Sequence, residues 1–161
     1  MCSTQSRSRY ALLLALGLFA APAAAIVGSI PALAVDNMNS SDAPDLSSVR
    51  TKIKAADYRG ALAELKVLAD TNQHADVYNL MGFSLRKLGD YPNALTFYKK
   101  ALDFNADHKG AREYLGELYV EMGDLPKARE QLAVLTKLCP QGCEEREDLE
   151  KALATKAAKV N

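Results

Sequence analysis

The chain has 161 residues, of which 48% are hydrophobic and 25% charged, and it contains no Trp. This composition is typical of one globular domain with a modest core, and it excludes a collagenous, disordered or multi-domain protein. Twenty Lys and Arg residues balance twenty Asp and Glu residues. The net charge therefore gives no reason to expect binding to nucleic acid or to an anionic membrane.

Residues 1–34 are predicted to be a signal peptide. Arg7 and Arg9 precede an apolar run over residues 10–30, and the segment ends in Ala-Leu-Ala, a small-x-small sequence after which signal peptidase cleaves. Cleavage would leave Val35 as the first residue. The apolar run is longer than that of an ordinary signal peptide, so an uncleaved membrane anchor is the alternative interpretation.

An exported chain of this kind is expected in the bacterial periplasm. A membrane-anchored location follows from the alternative interpretation of the leader, and an origin in a eukaryotic secretory pathway or a plastid lumen stays open. Residues 35–44 contain turn-forming and polar residues with few apolar side chains, so they are predicted to be a flexible linker.

An internal repeat of 34 residues follows the linker. The pairs that match at this offset are Gly82 and Gly116, Gly89 and Gly123, Asp90 and Asp124, Pro92 and Pro126, and Ala94 and Ala128. A weaker copy lies 33 residues upstream. We therefore predict three units over residues 45–142.

Each unit is predicted to be two helices joined by a turn. Tyr78, Met81 and Leu85 recur at helical spacing. Gly89 can adopt the left-handed backbone that ends a helix, and Asp90 can cap the next helix. Small residues such as Gly82 and Ala94, or Gly116 and Ala128, would let paired helices approach closely.

The repeat resembles the signature of the tetratricopeptide repeat family. The middle unit matches it at Tyr78, Met81, Gly82, Leu85, Ala94, Tyr98 and Ala101. The third unit matches it at Leu115, Gly116, Tyr119, Ala128, Leu132 and Pro140, but has Arg112 and Leu135 where the family prefers an aromatic and a small residue. The first unit is degenerate, although Leu46, Val49, Ile53 and Ala56 still give its first helix an apolar face. The resemblance implies an all-α, right-handed superhelical stack.

Residues 143–161 are predicted to form a C-terminal capping helix. Acidic residues crowd its first turns and Lys residues lie near its end, as the helix dipole favours. Leu149, Ala152 and Leu153 form an apolar stripe that would cover the exposed edge of the last repeat.

Cys139 and Cys143 flank a Pro-Gln-Gly turn. In an exported chain, such a pair is interpreted first as a structural disulfide. The alternatives are a thiol-redox pair and a metal site, for which His74 and His108 are the available histidines. Both histidines fall at predicted helix boundaries, where an exposed or capping imidazole is the simpler interpretation.

No catalytic motif or cofactor-binding motif occurs in the sequence, so we expect neither an enzyme nor a cofactor. The resemblance implies instead a concave face, formed by the first helix of each unit, that holds a peptide or helix of a partner protein. The residues assigned to that face are Arg50, Lys54, Asn79, Phe83, Arg86, Lys87, Glu113, Tyr114, Glu117 and Glu121. Phe83 and Tyr114 are the expected hot spots between a basic end and an acidic end.

The predicted function is therefore an exported interaction or scaffold module. A periplasmic thiol-redox or metal-binding protein that uses Cys139 and Cys143 is the alternative. A second copy of the chain is a further candidate partner. Leu46, Leu80, Gly110 and Tyr114 stand where family members that grip a terminal carboxylate carry Lys, Asn and Arg, so that specialised ligand is not expected.

Overall fold

The computed structural model describes residues 43–160, apart from the side chain of Val160. This part of the chain contains seven helices and no strand. The helices are α1 (Ser47–Lys54), α2 (Tyr58–Thr71), α3 (Ala75–Lys87), α4 (Tyr91–Phe104), α5 (Lys109–Met122), α6 (Leu125–Leu138) and α7 (Glu144–Val160). The predicted signal peptide and residues 35–42 of the predicted linker lie outside the described residues.

The helices form three consecutive hairpins, α1 with α2, α3 with α4, and α5 with α6. Each hairpin also packs on the next one, through α2 with α3 and α4 with α5, and α7 packs on both helices of the last hairpin. The fold is therefore the predicted all-α, solenoid-like stack of helical hairpins. Within residues 43–160, no helix combines the length and the apolar character needed to cross a bilayer.

An aspartate begins the second helix of every hairpin. Asp57, Asp90 and Asp124 precede α2, α4 and α6, and each carboxylate accepts a hydrogen bond from the backbone N–H three residues further on. This contact satisfies an N–H group that has no partner inside the helix. The predicted capping role of Asp90, and of its copy Asp124, is confirmed.

The first helices of the second and third hairpins begin at histidines. His74 accepts a hydrogen bond from the N–H of Asp76, and His108 accepts one from the N–H of Ala111. The predicted boundary positions of both histidines are confirmed. The other ring nitrogen of His108 lies 3.0 Å from the Asp76 carboxylate. This contact joins α3 to α5 and holds the pKa of Asp76 below its usual value.

The turn inside each hairpin requires one residue with a positive φ. Gly89 and Gly123 have φ values of 81° and 83°, and Ala56 has φ 58° at the corresponding place in the first hairpin. The N–H of Asp57 donates to the Lys52 carbonyl, as in a Schellman motif. The expectation that Ala56 belongs to the apolar face of α1 is wrong, because the helix ends at Lys54 and Ala56 is exposed.

The buried side chains form two clusters that Leu62, Phe97 and Leu102 connect by packing against both. Glycines allow the closest helix contacts. A Cβ atom at Gly82 would lie 2.6 Å from the Tyr98 ring of the paired helix α4. A Cβ atom at Gly116 would collide with Leu149 of α7. The sequence predicts that Gly116 lets α5 approach its hairpin partner α6; the atoms nearest to it in the structure belong to α7, which shows how closely the capping helix also approaches.

The Ala56 turn gives a stability prediction. A left-handed backbone costs a residue with a Cβ atom roughly 1–2 kcal/mol, whereas glycine adopts it freely. We expect Ala56→Gly to raise the free energy of unfolding by about 1 kcal/mol in urea titration followed by circular dichroism. Gly89→Ala is the matched control, since no atom lies within 4 Å of its Cβ position. It should lower stability by a similar amount, and a loss of stability in Ala56→Gly would contradict the argument.

Candidate functional site

A cavity of about 150 Å³ opens where the first helices of all three hairpins meet. We call it the inner cavity. It is lined by Arg50, Ile53 and Lys54 from α1, Leu80 and Phe83 from α3, and Tyr114 from α5. Four of the predicted partner-binding residues, Arg50, Lys54, Phe83 and Tyr114, are thus brought together in one place.

The wall of the inner cavity is aromatic. The rings of Phe83 and Tyr114 are 5.0 Å apart between centroids, and Tyr58 lies 6.2 Å from Phe83 in an edge-on arrangement. Phe83 and Tyr114 are each half-buried. Their mutual packing fixes the ring positions while part of each ring faces the cavity, so the two predicted hot spots are not sealed inside the core.

Arg86 is predicted from the sequence to be a binding residue on an open surface, but it is 5% exposed. Its guanidinium contacts Glu117 at 2.6 Å and Glu121 at 2.7 Å. It also lies over the rings of Phe83 and Tyr114, at 5.5 and 5.7 Å from their centroids. Arg86 therefore ties α3 to α5 behind the aromatic pair. Its two ion pairs and its burial leave it unsuited to meet a ligand, and they also occupy Glu117.

A second cavity, of about 310 Å³, adjoins the first, and Arg50, Leu80 and Tyr114 line both. We call it the acidic cavity. Its polar wall includes the predicted residues Asn79 and Glu113, together with Glu144, Glu145 and Asp148 at the start of α7. The acidic and basic groups thus lie beside each other, rather than at opposite ends of the face as expected.

Glu113 is the most deeply buried of these acids. It is 7% exposed, and no hydrogen bond or ion pair joins its side chain to another described residue. Burial raises the pKa of Glu113 to about 8, and the neighbouring carboxylates of Glu117, Asp148 and Glu145 add to the rise, while Arg86 opposes it. Within the described part of the chain, the carboxylate of Glu113 therefore lacks a partner that would stabilise its charge.

Several lining residues cannot be found from the sequence. Ile53 and Leu80 look like ordinary core positions of a helical repeat. Glu145 and Asp148 look like groups that only complement the dipole of α7. The sequence contains no signal for how α7 crosses α5. Of the predicted residues, Lys87 lines neither cavity, and its Nζ lies 5.3 Å from the Phe83 ring centroid.

Cys139 and Cys143 lie between α6 and α7. The Cα atoms of Cys139 and Cys143 lie 6.0 Å apart and their sulfur atoms are at bonding distance, so the geometry allows a disulfide between them. Arg146 of α7 donates to the carbonyls of Cys139 and Pro140 across the same junction. Among residues 43–160, no group of three or more His, Cys, Asp or Glu side chains is arranged to hold a metal ion.

Comparisons with known proteins agree with this architecture. A sequence profile of the tetratricopeptide repeat matches residues 85–146. The uncharacterized protein ycf37 of Pyropia yezoensis is 34% identical over 65 residues, which cover 40% of this chain and only 36% of that protein. The chain therefore matches about a third of the length of this relative.

Solved structures of secretion chaperones have a similar fold. PcrH in complex with the chaperone-binding region of PopD gives a TM-score of 0.59 at 17% identity, covering 71% of this chain and 90% of that one. The chaperone SycD of Yersinia enterocolitica in complex with a peptide of the translocator YopD gives a TM-score of 0.61 at 16% identity, covering 71% and 91%. The fold defines the class: an all-α stack of tetratricopeptide-like hairpins.

The environment of Glu113 predicts how stability depends on pH. Its pKa is raised from about 4.5 to about 8 by folding, so the unfolded chain loses this proton first and stability falls as the pH rises from 4.5 through 8. One pKa unit corresponds to about 1.4 kcal/mol. We expect Glu113→Gln to be more stable than the natural chain by at least about 1 kcal/mol at pH 8, and the difference to shrink towards pH 5.

Urea unfolding followed by circular dichroism at several pH values measures this difference. The control is Glu130→Gln on the exposed side of α6, which should leave the pH profile unchanged. If the natural chain and Glu113→Gln lost stability equally between pH 5 and pH 8, the buried carboxylate would not be the cause.

Proposed function

We propose that this chain is an exported interaction module that binds a peptide segment of a partner protein in the inner cavity, on the concave face of the hairpin stack. One observation carries the proposal. Residues from the first helices of all three hairpins converge on one cavity, whose aromatic wall stays half-exposed although the rings pack against each other.

The size and lining of the inner cavity favour one apolar side chain of such a segment. An apolar cavity of roughly 150 Å³ accommodates a molecule such as benzene. Here Ile53, Leu80, Phe83 and Tyr114 provide the apolar lining. Half-buried aromatic residues with surrounding polar groups are the usual energetic centre of a protein interface.

The structural likenesses support the same idea at the level of the fold. In the solved complexes, PcrH holds the chaperone-binding region of PopD, and SycD holds a peptide of YopD. Because the identities are 17% and 16%, these likenesses show the fold alone. Binding by the present chain is our inference from its own cavity.

The export of the protein rests on the sequence. The basic residues, apolar run and Ala-Leu-Ala ending of residues 1–34 favour a cleaved leader and a periplasmic location. An anchored protein is the alternative location. In either case the binding face would act outside the cytoplasm, where it could scaffold an envelope complex.

Site-specific photo-crosslinking in the native compartment tests the binding face. We expect a crosslinker at Lys54, on the rim of the inner cavity, to capture a defined polypeptide. A crosslinker at Val67, which is 67% exposed on α2 and does not line the cavity, is the control. Phe83→Ala should weaken binding of the captured segment by about 2 kcal/mol, or about 30-fold, in titration calorimetry.

Because Phe83 is half-buried, Phe83→Ala must first show unchanged helicity in circular dichroism. Lys54→Trp, at an exposed position, provides a second variant: its larger side chain would fill the mouth of the inner cavity, so it should weaken binding of the captured segment without touching the core. Equal capture from the Lys54 and Val67 positions, or an affinity that neither variant changes, would place the binding surface elsewhere.

The cysteine pair provides the test of the alternative function. We propose that the Cys139–Cys143 disulfide pins α7 to the last hairpin. Closing so short a loop contributes about 2 kcal/mol on the chain-entropy account. The free energy of unfolding of the double variant Cys139→Ser with Cys143→Ser should therefore be lower by about 2 kcal/mol in urea titration. Its helicity should be unchanged.

Thiol titration of the denatured exported protein should detect neither Cys139 nor Cys143 before reduction and both afterwards. A pair that cycles between thiol and disulfide under mild redox buffers, or that retains a metal ion after purification, would instead favour the redox or metal-binding protein.

A further inference from the structure

The carboxylate of Glu113 has no charged or hydrogen-bonding partner within the described part of the chain. The side chain is more than nine-tenths buried and lines the acidic cavity, yet it makes no hydrogen bond or ion pair with another described residue. Buried polar groups are normally hydrogen-bonded, and a buried carboxylate without a partner is costly. The carboxylate oxygens of Glu113 keep contact with the solvent in the cavity, so a group from outside the chain can reach them and supply the partner.

The rest of the cavity wall does not supply a partner for Glu113. Glu145 and Asp148 approach from α7 and would carry the same negative charge as an ionised Glu113, so they oppose its ionisation. Asp76 and Glu144 add two further carboxylates to the lining, whereas its cationic groups are Arg50 and His108, whose ring already contacts Asp76. The wall therefore holds acceptors in excess of donors, and a matching ligand group must donate hydrogen bonds and carry positive charge.

Within residues 43–160, no cation near this cavity forms an ion pair with Glu113. Arg86 pairs with Glu117 and Glu121. The His108 ring contacts Asp76. Arg50 lines the cavity, but it takes part in none of the ion pairs found in residues 43–160. Residues 35–42, which precede the described part, contain no Lys or Arg.

We propose that the acidic cavity is a subsite for a Lys or Arg side chain of the bound segment. The inference rests on the proposed function and adds the chemistry of its ligand. Arg50, Leu80 and Tyr114 line both cavities, so the two subsites are neighbours. The partner segment would therefore carry an apolar side chain for the inner cavity and a cationic side chain close to it in sequence.

The experiment selects ligands from random sequences, so the partner need not be identified first. A displayed library of random ten-residue peptides is selected on the purified protein, expressed from the full-length sequence. We expect the retained peptides to be enriched in an apolar residue followed or preceded by Lys or Arg at short, fixed spacing. Replacing that cationic residue by Gln in a selected peptide should weaken binding about 10- to 100-fold, as expected for a charge-assisted contact.

The protein variants assign this preference to the cavity. Glu113→Gln combined with Asp148→Asn should remove the preference for the Lys peptide over its Gln counterpart. Asp148→Asn alone, at an exposed position, should reduce it without any effect on folding. Glu130→Gln is the matched control and should leave the preference unchanged.

The outcomes separate the subsite from the general function. Peptides that bind in a Phe83-dependent way but without a cationic preference, or with one that the double variant retains, would overturn the cationic subsite and leave the proposed function intact. A library that yields no binding peptide would overturn both. Saturable binding of Ca²⁺ or Mg²⁺ that Glu113→Gln abolishes would reassign the cavity to a metal ion.

Discussion

The close packing of helix on helix is the constraint on which this structure depends. A short amphipathic helix has little stability by itself, so each one must bury its apolar face against its neighbours. Gly82 permits this at one close contact, because a side chain there would collide with the Tyr98 ring. Because each hairpin packs on the next one along the chain, the first helices of the hairpins lie side by side. The shared face that carries both cavities is thus a consequence of how the core is buried.

Arg86 gives that face a fixed geometry. Two side chains from α5 hold its guanidinium, and the guanidinium in turn lies against the rings of Phe83 and Tyr114. A long cationic side chain is thus used to join two helices behind the inner cavity. For the binding that we propose, the consequence is preorganisation: the aromatic wall would need little rearrangement to receive a side chain, which would lower the entropic cost of association.

The fold could be predicted from the sequence because its signals are local. Gly89 ends one helix and Asp90 caps the next, so each acts on backbone groups only a few residues away. Their copies 34 residues later do the same. The site could be predicted only in part. Whether Arg86 faces solvent or two glutamates depends on which side chains the next hairpin brings near. Asp148 joins the cavity because Leu149 packs over Gly116, a contact that no periodicity within α7 reveals.

The acidic cavity makes little sense as a device for stability. A protein selected only for stability would pair Glu113 with a cation or replace it with an apolar residue, since a buried carboxylate that lacks a partner disfavours its own ionised form. Polar groups that a fold leaves unsatisfied are instead typical of surfaces that meet a ligand, where the partner supplies the missing bonds. Arg86, one hairpin away, shows that this chain can compensate carboxylates when packing requires it. The contrast between Glu117, which is paired, and Glu113, which is not, is the physical reason why we propose a recognition site at the acidic cavity.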